Sequence, residues 1–230
     1  IMDTYQALGQ FGYEQIENLF SYAYLFDFLY TISRFTSMHN LEYPQISKNN
    51  LQIIDGKNIY IKDPKPIDYA LGAEKIKVHQ LNNEKISILT GANSGGKTTL
   101  LEMFLQSQIL THMGLGIPAS PSSKVMLFDE IIYLKKFTGT QGSGAFEQTV
   151  RNLIGIIDSP GSKLILIDEF EAITEPGAAA KILIEFLMQV SEQDNFCIAV
   201  SHLGLEIKKF IEEKNIKSIR IDGISAEGLG

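Results

Sequence analysis

The sequence predicts an α/β fold: a mainly parallel sheet covered by helices, a small antiparallel flap at its edge and a helix ahead of both. Three observations carry this expectation. From residue 84 onward, short apolar runs alternate with helical periodicities, the pattern of a sheet buried on both faces. One of those runs, Ile86-Ser87-Ile88-Leu89, leads directly into GANSGGKTTL at 91–100. Earlier, Asp55-Gly56 separates two strand-like stretches, and this dipeptide favours tight hairpins.

The first element is a helix predicted over 14–36. Leu19, Ala23, Phe26 and Tyr30 recur there at spacings of three and four. Phe20, Tyr24, Phe28 and Phe35 widen the stripe. These aromatics are expected in a core, packed on the main domain or on another region. LQIIDG and KNIYIKD are the two strands expected to form the flap, and Pro64 and Pro66 break regular structure after them.

The α/β alternation then begins. KISILT is a strand and 97–113 a helix; VMLF and IIYLKKF are short strands or their edges. A helix over 145–158 precedes the strand KLILID, and a helix over 177–192 precedes NFCIAV. A helix over 204–214 and the strand KSIRID complete the order, and the tail AEGLG carries no signal. The expected division is a helical region, 1–40, followed by the main domain, 41–230.

Composition narrows the setting. The chain has 230 residues and a formal net charge of −7. That balance argues against a broad nucleic-acid-binding surface on this piece alone. No run of 18 apolar residues is present, so no membrane partner is expected. No signal-peptide pattern opens the chain. Residue 1 is isoleucine, and the chain is expected to be a fragment of something longer. The single cysteine, Cys197, lies in the apolar stretch NFCIAVSH and reads as a buried, inert thiol. No disulfide can form within the chain, which fits a reducing cytoplasm.

The stretch from Gly91 to Thr98 matches G-x-x-x-x-G-K-T, the P-loop pattern, with a strand before it and a helix after it. Phosphate oxygens need donors at close range. Gly91, Gly95 and Gly96 let the chain curl so that successive N–H groups point inward. Ala92, Asn93 and Ser94 complete the cradle. The helix start adds free N–H groups and a favourable dipole. Lys97 supplies a point charge for phosphate, Thr98 a hydroxyl for Mg²⁺, and Thr99 orients a phosphate or caps locally. A nucleotide, ATP, and Mg²⁺ are the expected cofactors.

KLILIDEF, 163–170, delivers Asp168 and Glu169 to the carboxyl end of a strand, where ligands bind in such sheets. Asp168 is expected to serve Mg²⁺ and Glu169 to be the general base. His202 follows the strand FCIAV and is expected to donate to, or sense, the terminal phosphate. A second glycine-rich run, TGTQGSGAFEQTV at 138–150, places Gly142, Ser143 and Gly144 at a helix start. It is a candidate donor loop for a partner subunit's nucleotide. His39, His79 and His112 lack comparable context and are expected to be structural. No His/Cys cluster with metal-ligand spacing is present.

Together these features resemble the ATPase domain of MutS-type proteins, within the ABC ATPase class. The resemblance rests on GANSGGKTTLLEMFLQSQILTHMGLGIPA at 91–119, with Asn93 inside the cradle and Ile117-Pro118-Ala119 as the exit. The helix at 14–36 and IIDGKNIYI resemble the end of that family's lever and the strands before its cradle. The resemblance implies a P-loop NTPase of the ABC-type three-layer sandwich. It further implies ATP hydrolysis in a homodimer with two composite ATP–Mg²⁺ sites, with Glu169, Lys97 and His202 catalytic. The work implied is DNA repair or recombination, with DNA contacted through regions absent from this piece.

Two departures are visible. Where the family has Ser-Thr-Phe, this chain has Gly144-Ala145-Phe146 with Ser143 just before. Either Ser143 takes the serine role through a shifted loop, or Gly144 serves with N–H groups only. After Asp168-Glu169 come Phe170-Glu171-Ala172-Ile173 and then Thr174-Glu175-Pro176, closer to the MutS2-like branch. That branch implies an alternative, a ribosome-associated ATPase. A nucleotide-gated interaction module with little hydrolysis is another.

Overall fold

The computed structural model describes residues 2–72, 83–91, 96–135, 143–169, 176–225 and 228–229. The chain divides into two compact units, Ile1–Leu41 and Glu42–Gly230.

The first unit is a single helix, α1 (Met2–Met38). It is longer than the sequence periodicity alone predicts. Its large apolar side chains are exposed, Leu19 at 68%, Phe26 at 72% and Tyr24 at 74% among them. Apolar residues surround α1 on every side, so no single face collects them. Local contacts remain: Phe26 stacks on Tyr30 at 6.2 Å, and Arg34 sits 5.9 Å from the Tyr30 ring centre.

The second unit holds two sheets. Their strands are β1 (Gln45–Ile46), β2 (Asn50–Gly56), β3 (Ile67–Gly72), β4 (Ile86–Gly91), β5 (Lys124–Val125), β6 (Glu130–Leu134), β7 (Lys163–Ile167), β8 (Phe196–Val200), β9 (Ile219–Ser225) and β10 (Gly228–Leu229). The helices are α2 (Lys97–His112), α3 (Ser143–Asp158), α4 (Pro176–Ser191) and α5 (Gly204–Lys214).

The larger sheet runs β10-β9-β4-β8-β7-β6. It is parallel throughout except for β10, which returns antiparallel along β9. This is the mainly parallel α/β sheet expected from the alternation. Side chains alternate along each strand. Ile86 and Ile88, Ile165 and Ile167, and Cys197 and Ala199 join one core with Leu153, Leu183, Leu187 and Ile207 of the helices. The positions between them are buried too, so β7 and β8 are covered along their whole length. Burial pushes the Cys197 thiol far up, consistent with an inert core residue.

The smaller sheet runs β1-β5-β2-β3, and here two expectations are corrected. The partner of β2 is β3, not KNIYIKD. Asp55 takes a left-handed φ of 52° and its N–H donates to the Asp68 side chain, while the register shifts between Ile53 and Gly56. Asp55-Gly56 is thus a bulge site and not a two-residue hairpin turn. Beyond it, the chain is drawn away. Lys57 N–H donates to Pro118 O, and the buried Asn58 side chain donates to Glu102 and accepts from Gln106 of α2. VMLF also pairs only through Val125, the end of β5.

The two sheets are joined by a buried polar cluster. The Tyr69 and Ser87 hydroxyls both donate to Asp222 Oδ2, at 2.6 and 2.7 Å. Arg220 Nε reaches both Asp222 oxygens, at 2.8 and 2.9 Å, and an Arg220 amino group donates to Ala70 O. Burial alone would raise the Asp222 carboxyl. The bonds from Arg220, Tyr69 and Ser87 outweigh it and hold the carboxyl below its ordinary range.

Candidate functional site

The end of β4 opens the candidate site. Gly91 has φ 137°, and a Cβ there would fall 2.1 Å from Ile224 O of β9. Only glycine permits both the angle and the approach. The described residues resume at Gly96, which caps α2 in a left-handed conformation, φ 82°, with no side-chain hydrogen bond to the helix start. Lys97 is buried, with its ammonium donating to Gly91 O at 2.6 Å. Ala92, Asn93, Ser94 and Gly95 lie outside the described residues. Thr99 offers its carbonyl to Asn58 at 3.4 Å, which ties the α2 start to the segment after β2.

The end of β7 supplies the acidic side. Asp168 N–H donates to Leu134 O, continuing the β6–β7 ladder by one bond. Its carboxylate accepts from Thr98 Oγ1, at 3.1 and 3.2 Å to the two oxygens. Glu169 then turns sharply, with φ 50°. A non-glycine residue in that region carries strain, and such strain concentrates at functional positions. Glu169 Oε1 lies 3.1 Å from His202 Nε2, beyond the end of β8. The neighbouring strand ends are locked together: Ser201 N–H donates to Leu89 O, and Gly204 packs on Thr90.

The structure thus brings Lys97, Thr98, Asp168, Glu169 and His202 to the carboxyl ends of β4, β7 and β8. Ser143 is the first residue of α3; the glycine-rich run before it and the side chains of Ser143 and Gly144 lie outside the described residues. His79 does as well. Both ring nitrogens of His112 face backbone carbonyls, of Gln108 and Phe128, at 2.8 and 2.9 Å, a packing role.

Sequence reasoning missed two residues beside this group. Tyr133 of β6 has a buried hydroxyl with no hydrogen-bond partner among the described residues. Burial first, then the charges of Asp168 and Glu102, push that phenol up to about 12. Glu102 stands one helical turn after Thr98 and accepts from Asn58 Nδ2 at 3.2 Å. The available signals were weak: a polar residue inside IIYLKKF, and a carboxylate four positions after Thr98.

The donor set has a definite chemistry. Among the described residues no group of three or more His, Cys, Asp or Glu side chains forms a metal cage. One hydroxyl and one carboxylate in contact, beside a buried lysine at a helix start, instead suit a hard cation that keeps most of its waters and is shared with phosphate oxygens. The residues present fit Mg²⁺ with a nucleotide. No helix among the described residues is long and apolar enough to cross a membrane.

No family model matches the chain. The DNA-binding protein MutS2 of Pyrococcus furiosus is 44% identical to it over 207 residues, covering 90% of this chain. The chain belongs to the MutS2 family. Endonuclease MutS2 of Clostridium tetani is 30% identical over 190 residues and that of Clostridium kluyveri 28% over 195, covering 80% and 82% of the chain. The resemblance seen in the cradle and in Thr174-Glu175-Pro176 therefore stands at the level of the family. This MutS2-family chain spans 35% of the Pyrococcus protein and 23% and 24% of the two clostridial ones.

Proposed function

We propose that residues 41–230 form the ATP-binding and ATP-hydrolysing domain of a MutS2-type protein, with the P-loop, ABC-type three-layer architecture. Residues 1–40 are then the end of a lever-like region. The observation that carries this is the meeting of Thr98 and Asp168 beside Lys97, with Glu169 and His202 paired at the adjacent strand ends. Family membership favours the MutS2-like alternative over a mismatch-repair MutS.

In this reading Gly91 to Thr98 hold the phosphates, Thr99 lies beside them, and Thr98 and Asp168 would hold Mg²⁺. Bound Mg²⁺ supplies charge neutralisation along the phosphate oxygens. Lys97 leaves Gly91 O for a phosphate oxygen. Glu169 takes a proton from the attacking water, and His202 holds the Glu169 carboxylate in place. Ser143 and Gly144 of a second copy face the terminal phosphate, so that two sites form in a homodimer. Weak dimerisation would slow turnover without loss of the nucleotide.

The relatives carry the names DNA-binding protein and endonuclease. Because this chain covers 35% of the Pyrococcus protein and 23% and 24% of the two clostridial ones, we place DNA contact in regions that those longer proteins have beyond it, and we assign no nuclease site here. Ribosome association is the second reading, supported by the MutS2 family itself. A cytoplasmic location fits the single buried cysteine.

The test is sedimentation of the chain and of Glu169→Gln, each with and without Mg-ATP, with phosphate release assayed in the same samples. Glu169→Gln should retain ATP, dimerise more than the parent and release little phosphate. Failure of both proteins to bind ATP would sink the reading. ATP binding without dimerisation would remove the roles given to Ser143 and Gly144.

A further inference from the structure

Tyr133 pairs with Leu166 across the parallel β6–β7 ladder. Paired residues in parallel strands point to the same face, and Leu166 and Asp168 share a face by strand alternation. Tyr133 and Asp168 thus lie on the side where α2 packs against β6 and β7 and where Thr98 meets Asp168. Glu102 stands on the same stretch of α2 and is fixed by Asn58, itself held by Gln106 at 2.9 Å.

The Tyr133 hydroxyl is a buried donor without a partner among the described residues. Such a group is costly unless an acceptor reaches it, and buried waters commonly fill this role between polar groups. Two carboxylates act on it and neither is bonded to it directly. A water suits all three: it accepts from the phenol and donates one hydrogen to each carboxylate.

We propose that Tyr133 is a positioning residue of the nucleotide–metal site, donating to a water that ties it to Asp168 and Glu102 and so orients the Asp168 carboxylate toward Mg²⁺. The proposal rests on the nucleotide reading above. The phenol–water–carboxylate bridge holds Asp168 in addition to Thr98, in the way outer partners orient metal-binding groups. It also links the flap, through Asn58 and Glu102, to the metal side of the site.

The experiment uses the 230-residue chain, its Tyr133→Phe variant, and Asp168→Asn as a reference. A fluorescent ATP analogue is titrated with Mg²⁺ and, separately, bound in EDTA; thermal unfolding is followed without nucleotide. Tyr133→Phe should raise the Mg²⁺ midpoint by about tenfold, the scale of one lost charge-assisted bond. Its metal-free affinity and unfolding midpoint should stay put, because the bridge acts on the orientation of Asp168 and the phenylalanine ring keeps the packing of β6. Glu102→Gln should shift the Mg²⁺ midpoint in the same direction, which keeps the test open if the phenylalanine variant folds poorly.

A Mg²⁺ midpoint unmoved in Tyr133→Phe but raised in Asp168→Asn would overturn the role of Tyr133 and leave the site intact. Equal losses in EDTA and in unfolding midpoint would also overturn it, by showing a packing role only. If Asp168→Asn itself leaves the Mg²⁺ titration unchanged, the metal reading fails and this proposal with it.

Discussion

Thr98 Oγ1 lies 3.1 and 3.2 Å from the two oxygens of Asp168, although the residues are 70 positions apart. The contact joins the start of α2 to the end of β7. With Mg²⁺ as the shared ligand, Asp168→Asn should weaken ATP binding by about tenfold or more in Mg²⁺ and little in EDTA. Thr98→Ser should behave as the parent, and Thr98→Val as Asp168→Asn. Fluorescent-nucleotide titrations in the two buffers decide it; equal loss in both would show that the pair serves the fold and not a cation.

Glu169 and His202 form the next testable pair. A general base contributes about 100-fold or more to rate. Glu169→Gln should therefore lower phosphate release by at least that factor while ATP affinity holds. His202→Ala should lower release less, because it removes an orienting contact at 3.1 Å and leaves the carboxylate. Release that survives in Glu169→Gln would move the base to another residue.

Much of this was legible in the sequence, for physical reasons that differ by element. Strands buried on both faces write themselves as apolar runs, so β4, β7 and β8 were plain. The residues just past their ends, Asp168, Glu169 and His202, inherited positions from those strands. The flap was misread because Asp55-Gly56 has two uses, hairpin turn and bulge, and a long-range contact chose between them: Asn58 reaching α2. The apolar residues of α1 read as a stripe although they surround the helix, because spacings of three and four also recur where a helix is apolar on every side. Tyr133 and Glu102 were invisible because a β-strand register and a helix turn must be superposed before they meet.

Asp222 offers a pH test. Its folded-state carboxyl is held below the ordinary value, so the linked stability is present above about pH 3.9 and is lost as pH falls through the folded value. Urea midpoints of the parent should fall across that acid window. Asp222→Asn should shrink this group's share of the fall. At neutral pH it should cost about 3–5 kcal/mol, because Arg220 is left buried without its carboxylate. A variant as stable as the parent at pH 7 would show that the cluster joining the two sheets is dispensable.

Gly91 and Gly96 both have positive φ, yet alanine should affect them differently. At Gly91 the new Cβ would fall 2.1 Å from Ile224 O, a backbone atom of the adjacent strand, so β4 and β9 must part. At Gly96 nothing among the described residues lies within 4 Å of the Cβ position, and only the 82° angle is strained. Gly96→Ala should thus cost about 1–2 kcal/mol, the left-handed penalty alone. Gly91→Ala should cost clearly more and disturb the strand that leads into the cradle. Chemical denaturation ranks the two, and nucleotide titration of each folded variant reports the consequence at the site. If Gly91→Ala proves the milder change, the close approach of β9 does not govern the shape of the phosphate loop's entry.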